Sequence, residues 1–348
     1  MTVLNQPFDQ QHLEPAPTLI ALIQRAALAQ AVCVAAELRA ADFLASGPKN
    51  VSELALATES HAPSLHRLLR VLASLDLCTE REDGSFGLTP TGALLRSDTP
   101  NSLRSWLLWF GKYQWPVWGQ LLHSIKTGES ARARVTGSEA FGLLEGDADA
   151  AALFNDTMVQ FTRIVADEVV RVCDFSRMQR IVDVGGGYGT LLAAILKAHP
   201  HLHGVLLDMP HAIEGARKQL EKPNSANRCD LIAGNFFEEI PEGADAYLLK
   251  NIIHDWNDER SALILRNCRR AIPKHGRLLL IERVMPIRLG ASSAHRTIAY
   301  GDLAMLIGPG GRERTEVEFS ALLEAAGFAP ARVIATALEY SILEAVPR

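Results

Sequence analysis

Short apolar runs and amphipathic stretches alternate along the second half of the chain. Residues 181–184 (IVDV), 204–207 (GVLL), 230–233 (DLIA), 246–249 (AYLL) and 277–282 (RLLLIE) have strand length and are set off by polar, glycine or proline residues. Between the first two, residues 190–198 (TLLAAILKA) read as a helix. Such alternation predicts a largely parallel sheet with helices on both faces. Two further strand candidates, Arg332 to Thr336 and Tyr340 to Ala345, are too close in sequence for a parallel crossover. A link that short permits only antiparallel pairing, so the predicted sheet ends in an antiparallel hairpin.

The first half follows a different pattern. Residues 1–17 are polar and proline-punctuated and are expected to form a flexible arm. From Thr18 to about Leu44 the pattern is helical, apolar and rich in small residues, as in a core or partner-facing helix. Val51 opens a short helix, Ala62-Pro63-Ser64 caps a second one running to Leu75, and Cys78–Glu80 with Ser85–Leu88 form a hairpin around Asp83-Gly84. Helix, turn, helix and hairpin give a winged helix-turn-helix. Residues 100–165 are helical and carry many aromatics, among them Trp106, Trp109, Tyr113, Phe154 and Phe161. The expected organisation is an arm (1–17), a winged-helix domain (18–100), a helical linker contributing to a substrate pocket (101–170) and a nucleotide-binding domain (171–348).

Charge removes the obvious role for a winged helix. Between Val51 and Leu88 the basic residues are Arg67, Arg70 and Arg81, against Glu53, Glu59, Asp76, Glu80, Glu82 and Asp83. Phosphate neutralisation needs a basic face, so the module is read as a packing or dimerisation element without a nucleic-acid partner. The net charge of −5 gives no reason to expect an anionic membrane surface. No apolar stretch is read as long enough to span a membrane, and the N-terminus lacks a signal-peptide pattern. Cys33, Cys78, Cys173, Cys229 and Cys268 are odd in number and scattered, with no metal-ligand spacing. They are read as reduced thiols of a cytoplasmic protein.

Candidate chemistry gathers at the strand ends, where open α/β sheets bind ligands. After the first strand come Gly185, Gly187 and Gly189, a G-x-G-x-G order that departs from the dinucleotide fingerprint because its third position falls on Thr190. Asp208 ends the second strand, where a carboxylate accepts both ribose hydroxyls of an adenosine, whether in NAD or in S-adenosylmethionine. Asn235 and Phe236 follow the third strand, suited to an adenine edge and face or to a plain turn. Lys250 ends the fourth strand and leads into His254, whose unperturbed pKa near 6.5 suits proton transfer around neutrality. Glu282 ends the fifth, on the same rim.

The segments IVDVGGGYGTLL, GVLLDMPHAI, GNFFEEIPEGADAYLLKNIIHDWNDE, GRLLLIERVMP, DLAMLI and GGRERTEVEF closely resemble the S-adenosylmethionine-dependent O-methyltransferases of the plant caffeic-acid type and their bacterial small-molecule relatives. The resemblance covers nearly the whole chain, winged-helix region included. It implies a class I methyltransferase fold, a mostly parallel seven-stranded sheet, with an N-terminal, mainly α-helical dimerisation domain and a homodimer. It implies His254 as general base flanked by Glu282 and Glu313, and Gly185, Asp208, Asn235, Phe236 and Lys250 at the cofactor. Phe154, Met158, Asp255, Asp302 and Met305 match positions around the acceptor. The family usually carries Asp where this chain has Asn235. The implied reaction is methyl transfer from S-adenosylmethionine, without a metal, to a hydroxyl of an aromatic small molecule such as a polyketide, flavonoid or phenazine. The competing readings are a nicotinamide oxidoreductase, a ligand-sensing transcription regulator, and a methyltransferase-fold hydroxylase or decarboxylase.

Overall fold

The computed structural model of the protein describes residues 15–220 and 228–348. It divides into two compact units, one ending at Gly111 and one beginning at Lys112. The expected arm falls mostly on residues 1–14, outside the described residues.

The first unit holds helices α1 (Pro15–Glu37), α2 (Ala40–Leu44), α3 (Val51–Ala57) and α4 (Ala62–Ser74), strands β1 (Cys78–Glu80) and β2 (Phe86–Leu88), and helix α5 (Arg104–Trp109). The single helix expected up to Leu44 is broken. Arg39 takes a left-handed conformation (φ 57°) and caps α2, its guanidinium bound to Asp42 at 2.9 Å. Helix α1 also begins at Pro15, inside the segment read as an arm. At 23 residues it is long and apolar enough to cross a membrane by length and composition, which corrects the expectation that no stretch is. Helix α3 starts with a capping box in which Asn50 accepts from the Glu53 amide and Glu53 from the Asn50 amide. Pro63 lies in the first turn of α4, where its missing N–H costs no bond. Leu54, Leu65, Leu69, Leu72 and Phe86 close the core between these helices and the hairpin.

The second unit opens with four short helices, α6 (Trp115–Trp118), α7 (Leu121–Thr127), α8 (Ala131–Thr136) and α9 (Gly142–Gly146), and the long α10 (Ala148–Val172). Then β3 (Arg180–Val184), α11 (Thr190–Ala198), β4 (His203–Asp208), α12 (Pro210–Leu220), β5 (Cys229–Ala233) and β6 (Ala246–Lys250) alternate. They are followed by α13 (Asp258–Ala271), β7 (Arg277–Glu282), α14 (Ser293–Ile307), α15 (Glu316–Ala325), β8 (Phe328–Ala335) and β9 (Ser341–Pro347). The sheet order is β5-β4-β3-β6-β7-β9-β8. Strands β3 to β7 pair in parallel; β9 runs antiparallel to both β7 and β8. Strand β8 begins four residues before its expected start. It takes in Pro330, which an edge strand tolerates, with a register shift between Pro330 and Arg332.

Alternate residues of the central strands feed two cores. Val182, Val184, Val205 and Leu249 point to one face with Ile264, Leu265 and Phe319, while Ile181, Leu206 and Leu248 point to the other with Val165, Leu191 and Ile195. Burial on both faces explains why these strands read as continuous apolar runs. The sheet also aligns the carboxyl ends of β3, β4, β6 and β7 along one rim.

Candidate active site

The loop leaving β3 is built on glycine. Gly185, Gly187 and Gly189 all have positive φ (70°, 60° and 72°), which L side chains rarely adopt. A Cβ on Gly186 would strike the Asp183 carboxylate and Leu206, and one on Gly185 would press on Ile252 and Phe236. Asp208, at the end of β4, accepts from the Gly187 amide (2.7 Å) and the Met209 amide (2.6 Å). The next helix starts at Pro210, two residues on. Phe236 joins an aromatic group with Phe237 and Trp256, tilted against the first and edge-on to the second. Asn235 departs from expectation: its Oδ1 accepts from the Phe237 amide at 3.0 Å and its Nδ2 donates to Glu238 at 3.2 Å. The side chain thus closes an Asx turn. Its amide is already engaged rather than presented to a ligand.

Beyond β6 the chain turns sharply. Lys250 ends the strand, Asn251 is left-handed (φ 55°), and a single 3₁₀ turn, Ile253–Asp255, directs His254 inward. Glu282, at the end of β7, accepts from the Ile252 (3.1 Å) and Ile253 (2.9 Å) amides with one oxygen. Its other oxygen lies 3.8 Å from His254 Nδ1. Glu313 makes the direct bond to Nδ1, at 3.1 Å. Asp255 comes within 3.6 Å of Nε2. Asp302, expected at the acceptor, accepts from the Glu313 backbone amide at 2.9 Å with one oxygen and so positions that carboxylate. The side-chain nitrogen and oxygen atoms of His254, Glu282 and Glu313 lie within 4.8 Å of one another although the residues are far apart in sequence.

This grouping changes the chemistry expected of the imidazole. Burial disfavours its charged form, but Glu282, Glu313 and Asp255 outweigh burial and push His254 up to about 10. Burial lifts Glu282 to about 7 and Asp255 to about 6, each held down by the His254 charge.

The turn is held from behind by residues the sequence reading passed over. Arg314 is fully buried and donates to the Ile253 carbonyl (2.8 Å), the Trp256 carbonyl (2.7 Å) and Asp258 (2.8 Å). Arg312 donates its amide to the His254 carbonyl at 2.9 Å. Gly311 lies so close to that carbonyl that a Cβ there would overlap it and the Asp255 backbone. The alternation of charge in Gly311-Arg312-Glu313-Arg314 was the available signal, since a buried guanidinium needs several acceptors. Gly311→Ala is expected to displace His254 and cut turnover by about 10²-fold. Unchanged kinetics in a steady-state comparison would contradict the close approach.

On the acceptor side, Phe154 of α10 meets Phe141 at 5.7 Å, and Phe141 meets Trp256 at 5.7 Å. Asn155, also on α10, is buried and approaches the glycine loop at Gly187. Met158 follows Phe154 by four residues, on the same helix face. Met305 lies in the last turn of α14, its carbonyl accepting from the Gly310 amide. Lys250 lies 5.9 Å over the Tyr340 ring.

The fold agrees with the comparisons. Residues 118–329 match the O-methyltransferase domain family and residues 20–98 the O-methyltransferase dimerisation domain family. The chain is 43% identical over 318 residues to the phenazine O-methyltransferase PhzM of Lysobacter antibioticus, covering 91% of this chain and 92% of that protein. The solved structure of LaPhzM superposes with a TM-score of 0.93 at 42% identity, covering 97% of this chain and all of that one. An O-methyltransferase from neocarzinostatin biosynthesis, solved with S-adenosylmethionine and 2-hydroxy-5-methyl naphthoic acid, gives 0.81 at 33% identity, covering 92% of this chain and 96% of that one. The chain belongs to the S-adenosylmethionine-dependent O-methyltransferases of small aromatic molecules, with the family's dimerisation domain at its N-terminal end.

Proposed function

We propose that the rim formed by β3, β4, β6 and β7 methylates a hydroxyl on an aromatic secondary metabolite, with His254 controlling the proton of that hydroxyl. The observation that carries this reading is the buried His254 following β6, held by Glu313 and Glu282, on the strand next to the one that feeds the glycine loop. S-adenosylmethionine supplies a methyl group on a sulfonium, which carries its own leaving group. The glycine loop fits such a ligand, because its positive φ values and the collisions awaiting any Cβ leave bare backbone facing the rim. Gly185, Asp208, Asn235, Phe236 and Lys250 are assigned to holding it, with Asn235 acting through the turn it closes.

The protein's part in the reaction is orientation and charge. Glu313 fixes the ring through Nδ1, leaving Nε2 as the nitrogen for the acceptor oxygen. In the transition state a proton on Nε2 faces an oxygen that is becoming an ether. That composition is the same whether the proton began on the acceptor or on the ring. Phe154, Met158 and Met305 are assigned to an aromatic acceptor, with Asp255 and Asp302 as the polar groups near it. A phenazine, a naphthoate or a similar fused-ring phenol suits these walls, and the relatives named above act on or bind such rings.

The reading is tested with methyl-labelled S-adenosylmethionine and a panel of hydroxylated aromatics and heteroaromatics. Label on oxygen supports it; oxidised or decarboxylated product with no methyl transfer overturns it. No step calls for a metal, so dialysis against a chelator is expected to leave turnover unchanged. A rate restored only by added divalent cation would contradict that.

We further assign the enzyme to the cytoplasm as a homodimer. Five free cysteines, four of them buried, suit a reducing compartment. Leu19, Ile20, Leu22 and Ile23 of α1 leave an exposed apolar face within the dimerisation region. A monomer by light scattering would count against the dimer.

A further inference from the structure

Arg132 lies in the first turn of α8 and is 7% exposed. A buried charge is costly unless it is paired, yet three local features converge to hold this one. Ser130 pins the start of α8 to the end of α14, its hydroxyl donating to the Ile307 and Gly308 carbonyls. Gly308 leaves room for the side chain, since a Cβ there would come to 3.0 Å from a guanidinium nitrogen. Ala140 takes a left-handed backbone (φ 43°), uncommon without glycine, and its carbonyl accepts from the Arg132 guanidinium at 3.3 Å. Backbone held in such a region clusters at functional sites.

These neighbours lead directly to the acceptor walls. Ala140 precedes Phe141, whose ring meets Phe154 and Trp256. Gly308 follows α14, whose last turn carries Met305. Burial pushes the guanidinium down to about 10 and Asp255 draws it back up, so the charge is kept at neutral pH. Asp255 in turn stands 3.6 Å from His254 Nε2. Arg314, the other buried guanidinium described above, ends on the Ile253 and Trp256 carbonyls and on Asp258, and so holds the turn from behind. Arg132 is set among the pieces of the acceptor wall instead.

We propose that Arg132 determines acceptor specificity: its guanidinium binds a carboxylate or carbonyl oxygen that lies ortho or peri to the hydroxyl being methylated. This rests on the O-methyl transfer reading and narrows its substrate class to hydroxyarenes carrying such an oxygen, with salicylate-like acids and hydroxyquinones among them. A planar fork of N–H donors matches oxygens fixed in the plane of an aromatic ring. The bound oxygen does not react. Holding it orients the neighbouring hydroxyl toward His254 Nε2, as a few placed polar groups orient a ligand in an otherwise apolar pocket.

The test uses the full-length enzyme, S-adenosylmethionine and three acceptors: an ortho-hydroxynaphthoate, the corresponding carboxamide, and the naphthol without the substituent. The quantity read is the ratio of kcat/KM for each substituted acceptor to that for the naphthol. Differences in acceptor reactivity cancel when this ratio is compared between variants. Arg132→Met is expected to lower both ratios about 10- to 100-fold, the scale of a hydrogen bond to a charged group. Arg132→Lys keeps the charge and loses the fork, so it is expected to hold the carboxylate ratio and lower the carboxamide ratio. It also carries the comparison should Arg132→Met not fold. The larger of the two ratios in the wild type tells whether the site is built for a carboxylate or a carbonyl. Ratios near one in the wild type, or ratios unchanged in both variants whatever the absolute rates, overturn the inference and leave methyl transfer intact. A second arm needs no turnover. The methoxynaphthoate and the methoxynaphthalene are titrated by calorimetry into enzyme saturated with S-adenosylhomocysteine. Tighter binding of the methoxynaphthoate, lost in Arg132→Met, supports the inference; if no acceptor is methylated as well, only the transfer reading falls. Equal binding of the two, or binding of neither, overturns the inference.

Discussion

Turnover by His254→Ala is expected to fall about 10²- to 10⁴-fold, the range in which a positioned proton-handling group contributes, with S-adenosylmethionine affinity nearly unchanged. The separation follows from topology. His254 leaves the end of β6, whereas the glycine loop and Asp208 leave β3 and β4. The substitution also removes the imidazole from between Glu282, Glu313 and Asp255, so some stability goes with it. His254→Gln keeps a donor for Glu313 and serves as the control. It should recover stability without recovering rate. Single-turnover measurements separate the steps, and a rate within about threefold of wild type in either variant would take His254 out of the chemistry.

Arg314→Met is expected to lower the unfolding free energy by about 3–5 kcal/mol, the scale of losing a buried charged partner. In a unit of this size that corresponds to a fall in Tm of roughly 6–20 °C. The side chain is fully buried and its volume is nearly kept, so the loss is one of hydrogen bonds rather than packing. It would strand the carbonyls of Ile253 and Trp256 and leave Asp258 with Arg312 alone. Those carbonyls flank His254, so activity at low temperature should fall as well. Calorimetry showing a Tm within about 2 °C of wild type would mean that the turn is held by other contacts.

The central strands were legible because they are buried on both faces, which leaves an unbroken apolar run such as LLLI in β7. The glycine loop was legible for the opposite reason, since Gly185, Gly187 and Gly189 mark positive φ directly. His254 and Glu282 could be paired because both end strands on one rim. Less visible was anything set by distant partners. Arg39 adopts a left-handed backbone with neither glycine nor proline to announce it. Asn235 spends its amide on its own turn. Asp302 reads as an acid on a helix, yet its acceptor role goes to the Glu313 amide. The protonation of His254 was furthest from view, because the ordinary imidazole pKa holds only until carboxylates from β7 and from the loop before α15 arrive around it.

Strand β9 is made after β8 but lies between it and β7. During synthesis, therefore, β7 emerges with one flank bare, and β8 has nothing to pair with until the following segment leaves the ribosome. The exposed flank belongs to RLLLIE, five of whose six residues are buried in the finished sheet. An unpaired apolar strand edge of this kind favours contact with a neighbouring copy. Glu282 ends the same strand and pairs with Ser341 of β9, so its final backbone partner is among the last residues made.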